Sequence, residues 1–495
     1  MHTGKQHGLN DCVDYILDNN FSLVLCPDAG SNDYEAHTTL QIEHNIPVII
    51  LDHHLADFTS QDAIIINNQL SDYPNKYLSG VGVVWQFCRF FDSLLKVNYA
   101  NDFLDLVALG LDADMMSLKS YETRYLITKG FLKENIKNPF IDYMLDKNAF
   151  PLSKSDYVST SSAASCTAMG AAFFIVPFIN AITRSGTQEE KEILFKAMLQ
   201  PFAFQEVLSN KRGHKLGDTE KLILQAVRTV TNVKNRQTRA EEAGLEMLER
   251  MIENNHMLDH KILLFLLEPN QIPAEIRGLI ANKFMAKYQR PCCILTRTIR
   301  DGIETYEGSM RGYTKTGIDS FKHILSECPE VLYVQGHDNA AGLGLAVQDI
   351  NKFLQTIDKK LENITDEPIY RVDYNFDQIN LLQNAQRIID IAQMNDYWGQ
   401  DIDRAYVHFR FKITKNAIHL MKSNTLKIDV GNNVSLIKFN ASENEIESFN
   451  SSYYMIIDGI GKCNANTWGN ETYPQLILED YTIITDTHKF NFYDF

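Results

Sequence analysis

Positive charge is scarce in this chain. Its 495 residues carry 47 Lys and Arg against 63 Asp and Glu, a formal net charge of −16. An acidic surface repels a polyanion unless cations are gathered locally, so indiscriminate nucleic-acid binding is excluded and any such contact needs a patch. Two candidates are Lys211-Arg212-Gly213-His214-Lys215 and the series Arg228, Lys234, Arg236 and Arg239; a solvated loop or helix face is the ordinary reading of each. Cysteine is sparse and unpatterned too. The eight cysteines show no CxxC spacing and only one adjacent pair, Cys292-Cys293, which argues against a zinc ribbon or a disulfide framework and fits reduced, mostly buried thiols in a cytosol-like compartment. No unbroken apolar run reaches the roughly 18 residues that a membrane crossing needs. The start, MHTGKQHGLNDCVDYIL, lacks the apolar segment of a secretory signal. Internal repeats and low-complexity segments are absent as well.

What is present is enough chain for roughly three domains of about 100–200 residues. Near the start, residues at helical spacing (Leu9, Cys12, Val13, Ile16, Leu17) precede a strand-like Phe21–Cys26, and a helix over about Asp33–His44 precedes strands at Pro47–Leu51 and Ala63–Ile66. This alternation predicts a parallel sheet with helical crossovers, whose crevice lies beyond the carboxyl ends of the strands. Asp28 and Asp52-His53-His54 stand at two such ends. The apolar run Phe103–Met116, ending in Asp112 and Asp114, is expected to be a third. A long proline-free helix is expected over Asp218–Asn254, bent near Gly244. A second α/β unit follows, with strands at Lys261–Phe265 and Cys292–Leu295 around a helix at Ala274–Tyr288, then a polar linker at Lys359–Asp366 and a mostly β tail with strands such as Tyr406–Ile413 and Thr425–Val430.

Carboxylates and imidazoles converging at strand ends suit a divalent cation, Mn²⁺ first and Mg²⁺ second. A pair of such ions about 3.5–4 Å apart would activate water and neutralise a phosphoryl group, which points to phosphoester hydrolysis. Asp-His-His by itself is also compatible with a hydrogen-bonded strand terminus.

With these residues in place, the sequence resembles the DHH phosphoesterases, and more closely the RecJ-like exonucleases that act on single-stranded DNA. The resemblance spans nearly the whole chain. It rests on the Asp28 turn, Asp52-His53-His54, Leu78-Ser79-Gly80-Val81-Gly82-Val83-Val84, and Leu106-Val107-Ala108-Leu109-Gly110 with Ala113-Asp114. Further along it rests on Pro177–Gly186, on Asn232 with Asn235-Arg236-Gln237, on Gly308-Ser309-Met310-Arg311, and on Gly336-His337-Asp338-Asn339-Ala340-Ala341-Gly342-Leu343. In the tail, Asn466-Thr467-Trp468-Gly469 and Gln475–Asp480 are similar to the family's OB-like domain.

The resemblance implies an α/β fold with a parallel-sheet DHH domain (residues 1–205), a connecting helix (206–256), a second α/β, DHH-associated domain that binds substrate (257–360), and an OB-like β-barrel (361–495). It implies that Asp28, His53 and Asp114 hold metal, with Asp28 bridging two ions, either Mn²⁺ or Mg²⁺. His54 would be a further ligand or touch the scissile phosphate, and Asp52 would orient an imidazole. Arg184, Ser309, Arg311, Gly336 and His337 would hold the phosphate. Arg236 would contact nucleic acid, as would an aromatic of the tail (Tyr397, Trp398 or Trp468), stacking on bases; core packing is the ordinary alternative for the aromatics.

The implied function is metal-dependent exonucleolytic hydrolysis of single-stranded DNA, 5′ to 3′, in repair or recombination, by a cytoplasmic monomer. Single-strand-binding protein or a helicase is the implied partner, and no membrane is involved. The alternatives are a catalytically impaired DHH protein that binds single strands or assists replication or repair, and a phosphodiesterase of oligonucleotides or cyclic dinucleotides. Departures from the family pattern are Gln335 before Gly336-His337, Ile182-Thr183 before Arg184, an added acid at Asp112, and no counterpart of the aspartate-rich DxDxxG segment. The last implies fewer anionic ligands, a weakly held second ion and impaired activity. It also implies one central strand fewer, as expected of a truncated reading of a longer protein.

Overall fold

The short β-branched runs near the start pair as expected for strands joined by crossovers. In the computed structural model, β1 (Val24–Pro27), β2 (Val48–Asp52) and β3 (Ile64–Asn67) form a parallel sheet in that order, with Cys26 beside Ile50 and Ile50 beside Ile65. The structure describes residues 8–56, 59–154, 157–364, 368–378, 381–468 and 471–485, without the side chains of Asn255, Leu381, Leu382 and Trp468. One face of the sheet is closed by Leu9, Ile16, Ala36 and Leu40 packed on Val48 and Ile50. The crossovers bring all three strand ends to one edge, which puts Asp28 and Asp52-His53-His54 side by side.

The third expected strand end is a helix end. Leu104–Ala113 is helical, and its buried Leu104, Val107, Ala108 and Leu111 recur at the spacing of one helix face. An apolar run of ten or more residues gains more from a helix, which satisfies its own backbone, than from a strand without a neighbour to pair with. Asp114 therefore follows a helix C-terminus.

The described residues form two compact units. The first is made of the described residues within 1–180, 188–229 and 372–495, and the second of those within 181–187 and 230–371. In the first, β4 (Glu206–Leu208) and β5 (Thr219–Lys221) make a separate antiparallel hairpin, and the chain then enters the long helix Leu222–Asn255. In the second, β6 (Leu263–Leu267), β7 (Cys292–Arg300), β8 (Ile303–Arg311), β9 (Val331–His337) and β10 (Ala340–Ala346) lie in the order β6-β7-β8-β10-β9. The expected helix Ala274–Tyr288 is present and packs Ile276, Ile280 and Phe284 on Phe265.

The tail is a seven-stranded sheet of the first unit. Its strands are β11 (Tyr374–Phe376), β12 (Tyr406–Thr414), β13 (Ile418–Met421), β14 (Thr425–Gly431), β15 (Val434–Lys438), β16 (Tyr454–Trp468) and β17 (Glu471–Ile484), in the order β11-β12-β16-β17-β15-β14-β13. Val407, Phe409, Phe411 and Ile413 alternate into its core, as period-2 patterning requires. Mostly antiparallel pairing, with parallel contacts only at β11/β12 and β15/β17, gives the β tail expected from its alternation.

One segment is apolar without being an unbroken apolar run. Residues Ala168–Ser185 are long and apolar enough to cross a membrane by length and composition alone. Asn180, Thr183, Arg184 and Ser185 interrupt it.

Candidate metal centre

Asp28 follows β1 in a left-handed conformation, φ 62°, and its amide donates to Leu51 O at 2.8 Å. This turn aims its carboxylate along the sheet edge. His53 follows β2, and its Nε2 lies 3.2 Å from Asp28 Oδ1 and 3.2 Å from Asp114 Oδ2. Ligand atoms of Asp28, His53 and His54 all lie within 4.8 Å of one another. One ring nitrogen has a single proton or lone pair to share between two carboxylates. A cation in the same space would be matched by two anionic oxygens and an imidazole, a donor set suited to Mn²⁺ or Mg²⁺.

Asp52 has a different part from its neighbours. Its carboxylate is buried and accepts the His54 Nδ1–H at 2.7 Å and the amides of His53, His54 and Ser31 at 2.8, 3.2 and 3.2 Å. Burial alone would raise its pKa, but these bonds, His54 first, hold it well below the carboxylate range. The same contact raises the His54 pKa and fixes Nε2 as the lone-pair nitrogen of its neutral ring. Asn67, at the end of β3, braces the turn by donating to Ser31 Oγ and His54 O at 2.9 Å each. Neither Ser31 nor Asn67 has a sequence signal beyond its place next to a strand end.

Glycines set the approach of the flanking helices. A Cβ on Gly80, the first residue of helix Gly80–Leu95, would stand 2.1 Å from Asp28 Oδ1, and one on Gly110 would stand 2.3 Å from Val81 Cγ1. Asp112 does not share the place of Asp114. Its Oδ2 is buried with no hydrogen-bond partner among the described residues, and burial pushes its pKa far up.

The five residues expected to hold the phosphate lie in the second unit. Pairing puts Arg311 opposite Ala340 and Ala340 opposite His337, with Ser309 opposite Gly342 one row along. Directly opposed residues share a sheet face, so Ser309, Arg311 and His337 flank a strip floored by Ala340 and Gly342. A Cβ on Gly342 would meet only backbone oxygens, at 3.7 and 3.8 Å. Gly336, at φ 128°, is packed against Ala340 O and Ala341, too close for a side chain. Burial and then the charge of Arg184 lower the Arg311 pKa, and neither guanidinium has a carboxylate partner among the described residues. Uncompensated cations beside an open backbone strip suit a phosphate. Arg184 itself is exposed, and the next residue, Ser185, is 3.5 Å from the buried Gln237, which gives the Asn-Arg-Gln segment a positioning contact that its lettering does not reveal.

The nucleic-acid candidates separate. Arg236 is exposed, but Arg228 is engaged by Glu220 and Lys234 by Glu241 and Gln237, so the series is not one free patch. Trp398 is half-buried and Tyr397 exposed; Tyr397 lines a cavity of about 200 Å³ with Arg124 and Asp396. The Trp468 side chain and Gly469 lie outside the described residues.

Known proteins resemble this chain in sequence and in fold. Residues 2–111 match the DHH family, N-terminal domain. The chain is 31% identical over 497 residues to the "Putative SPbeta prophage-derived single-strand DNA-specific exonuclease YorK" of Bacillus subtilis strain 168, covering 99% of this chain and 82% of that one. It is 24% identical to the single-stranded-DNA-specific exonuclease RecJ of Salmonella typhimurium over 83% of this chain and 69% of the other. In fold it is similar to RecJ in complex with Mn²⁺ from Thermus thermophilus, with TM-score 0.69 and 17% identity, covering 95% of this chain and 63% of that one, under two thirds of its length.

Proposed function

We infer the activity from one premise: the chain belongs to the DHH family, among its RecJ-like members. On that premise we propose that it is a metal-dependent exonuclease of single-stranded DNA, working 5′ to 3′ in the cytoplasm in repair or recombination. The observation that carries the reading is His53 Nε2 set at 3.2 Å from the carboxylates of both Asp28 and Asp114.

In this reading Asp28, His53 and Asp114 hold the metal, and His54 completes its surroundings. A bound Mn²⁺ or Mg²⁺ would supply Lewis acidity and a water of lowered pKa. The other steps belong to the chain. Asp52 keeps the His54 ring in one tautomer and orientation. Arg184, Ser309, Arg311, Gly336 and His337 hold the phosphate, the guanidiniums by paired donors and Gly336 by the left-handed turn that leads into His337. Arg236 and Trp398 contact the nucleic acid beyond the cleaved bond.

The test compares purified chain with Asp28→Ala and His53→Ala on end-labelled single- and double-stranded DNA in Mn²⁺, with and without chelator. Cleavage of single strands that both substitutions and chelation reduce by at least about 100-fold supports the reading. Equal residual cleavage in all three proteins removes it.

A further inference from the structure

The hairpin β4–β5 carries a basic loop that the metal centre does not use. Lys211, Arg212, His214 and Lys215 fall within residues 209–217, which contain no acid, in a chain of net charge −16. Two successive turns build the loop. His214 N donates to Lys211 O at 3.2 Å and Asp218 N donates to Lys215 O at 3.2 Å. Gly213 and Gly217 sit at the third position of each with φ 90° and 95°, the left-handed geometry that a type II turn requires.

The loop is held at its base, and at its tip Asp218 accepts the Lys215 amide at 2.9 Å and lies 4.0 Å from His214 Nδ1, leaving the Lys211, Arg212 and Lys215 side chains to solvent. Arg228 binds both carboxylate oxygens of Glu220, at 2.7 and 2.5 Å, and donates to Asn210 Oδ1 at 2.6 Å, while Gln225 donates to Leu208 O at 3.1 Å. Residues 210–219 are all exposed, and a Cβ on Gly213 or Gly217 would meet nothing within 4 Å. Leu216, between Lys215 and Gly217, is fully exposed at this tip. Cations held in an ordered loop around a single apolar side chain match phosphates spaced along a strand, with an apolar base face between them.

We propose that the hairpin Glu206–Lys221 is a nucleic-acid contact separate from the metal-centred site. Lys211, Arg212 and Lys215 bind backbone phosphates there, and Leu216 packs against a base; the inference rests on the single-strand reading above. An anionic lipid surface is the weaker match, since one leucine and three cations make a marginal membrane anchor.

The test uses the full chain. Affinity for a long labelled oligothymidylate is measured against salt for wild type, for the combined Lys211→Gln, Arg212→Gln, Lys215→Gln variant, and for Leu216→Ser. Each phosphate contact to a single strand contributes about 0.7 to the slope of log K against log salt, so the triple variant is expected to lose about 2 from the slope. Leu216→Ser is expected to weaken binding at unchanged slope. Both variants keep the wild-type melting temperature and, with Mn²⁺, the wild-type rate on a single-nucleotide chromogenic ester. A triple variant with wild-type affinity and slope overturns the proposal while leaving the nuclease reading intact. Hairpin-dependent retention on phosphatidylserine vesicles with oligonucleotide binding unchanged overturns it in favour of a membrane. A wild type that binds no oligonucleotide overturns both.

Discussion

Gly80 stands against Asp28 so closely that a Cβ there would lie 2.1 Å from its Oδ1 and 2.6 Å from its Cβ. The helix that begins at Gly80 thus serves as a wall for the carboxylate, and its first residue has no side chain because the acid occupies that space.

Gly80→Ala is therefore expected to displace Asp28. The exposed carboxylate can swing away but the Asp28 Cβ cannot, so the backbone must shift: the melting temperature is expected to fall, and Mn²⁺ affinity and cleavage to fall about 10–100-fold. Calorimetric Mn²⁺ titration beside a thermal melt checks it, and unchanged affinity would refute the wall.

Asp52→Asn keeps the size of the buried group and removes its charge. The amides of His53 and His54 and the His54 Nδ1–H lose an anionic acceptor, and Mn²⁺ affinity is expected to fall about 10–100-fold. The His54 imidazole pKa, read by NMR, should fall from its raised value, because the contact that raises it is weakened.

Arg311→Lys replaces a planar fork by a single ammonium. The native guanidinium donates to Met310 O at 2.6 Å and lies against Gly278, where a Cβ would be 2.4 Å from Nη2. KM for single-stranded DNA is expected to rise about tenfold, a change of about 1.4 kcal/mol, with kcat little altered. A variant with unchanged KM would exclude Arg311 from phosphate binding.

The hairpin base should respond to acid. Arg228 holds the Glu220 carboxyl at about 2, below its ordinary 4.5. A depressed carboxyl contributes stability that is full above the unfolded value of 4.5 and is lost as pH falls from there through about 2. Hydrogen-exchange protection at the Ser209 and Leu222 amides, taken relative to the intrinsic rate at each pH, should fall over that window, and Glu220→Gln should abolish that fall.

Much of the site was readable before the fold. β-branched residues running into Asp52-His53-His54 mark a strand end, and helix–strand alternation sends Asp28 to the same edge. The segment before Asp114 reads as a strand from its apolar letters and folds as a helix, because a run of this length satisfies its own backbone without a neighbouring strand. Asp52 and Asp114 carry the same side chain, yet one is buried among amides and the other faces His53 at 3.2 Å. No local pattern separates them.

The order of apolar and polar residues by itself placed the three strands of the first sheet to within a few residues, since a 2-residue period encodes which face must leave water. It also settled which donors sit at those ends. Only the tertiary structure decided which donors meet, which acid is desolvated and which glycine makes room. Those outcomes depend on distances between segments far apart in the chain, which crossover packing sets and local periodicity does not contain.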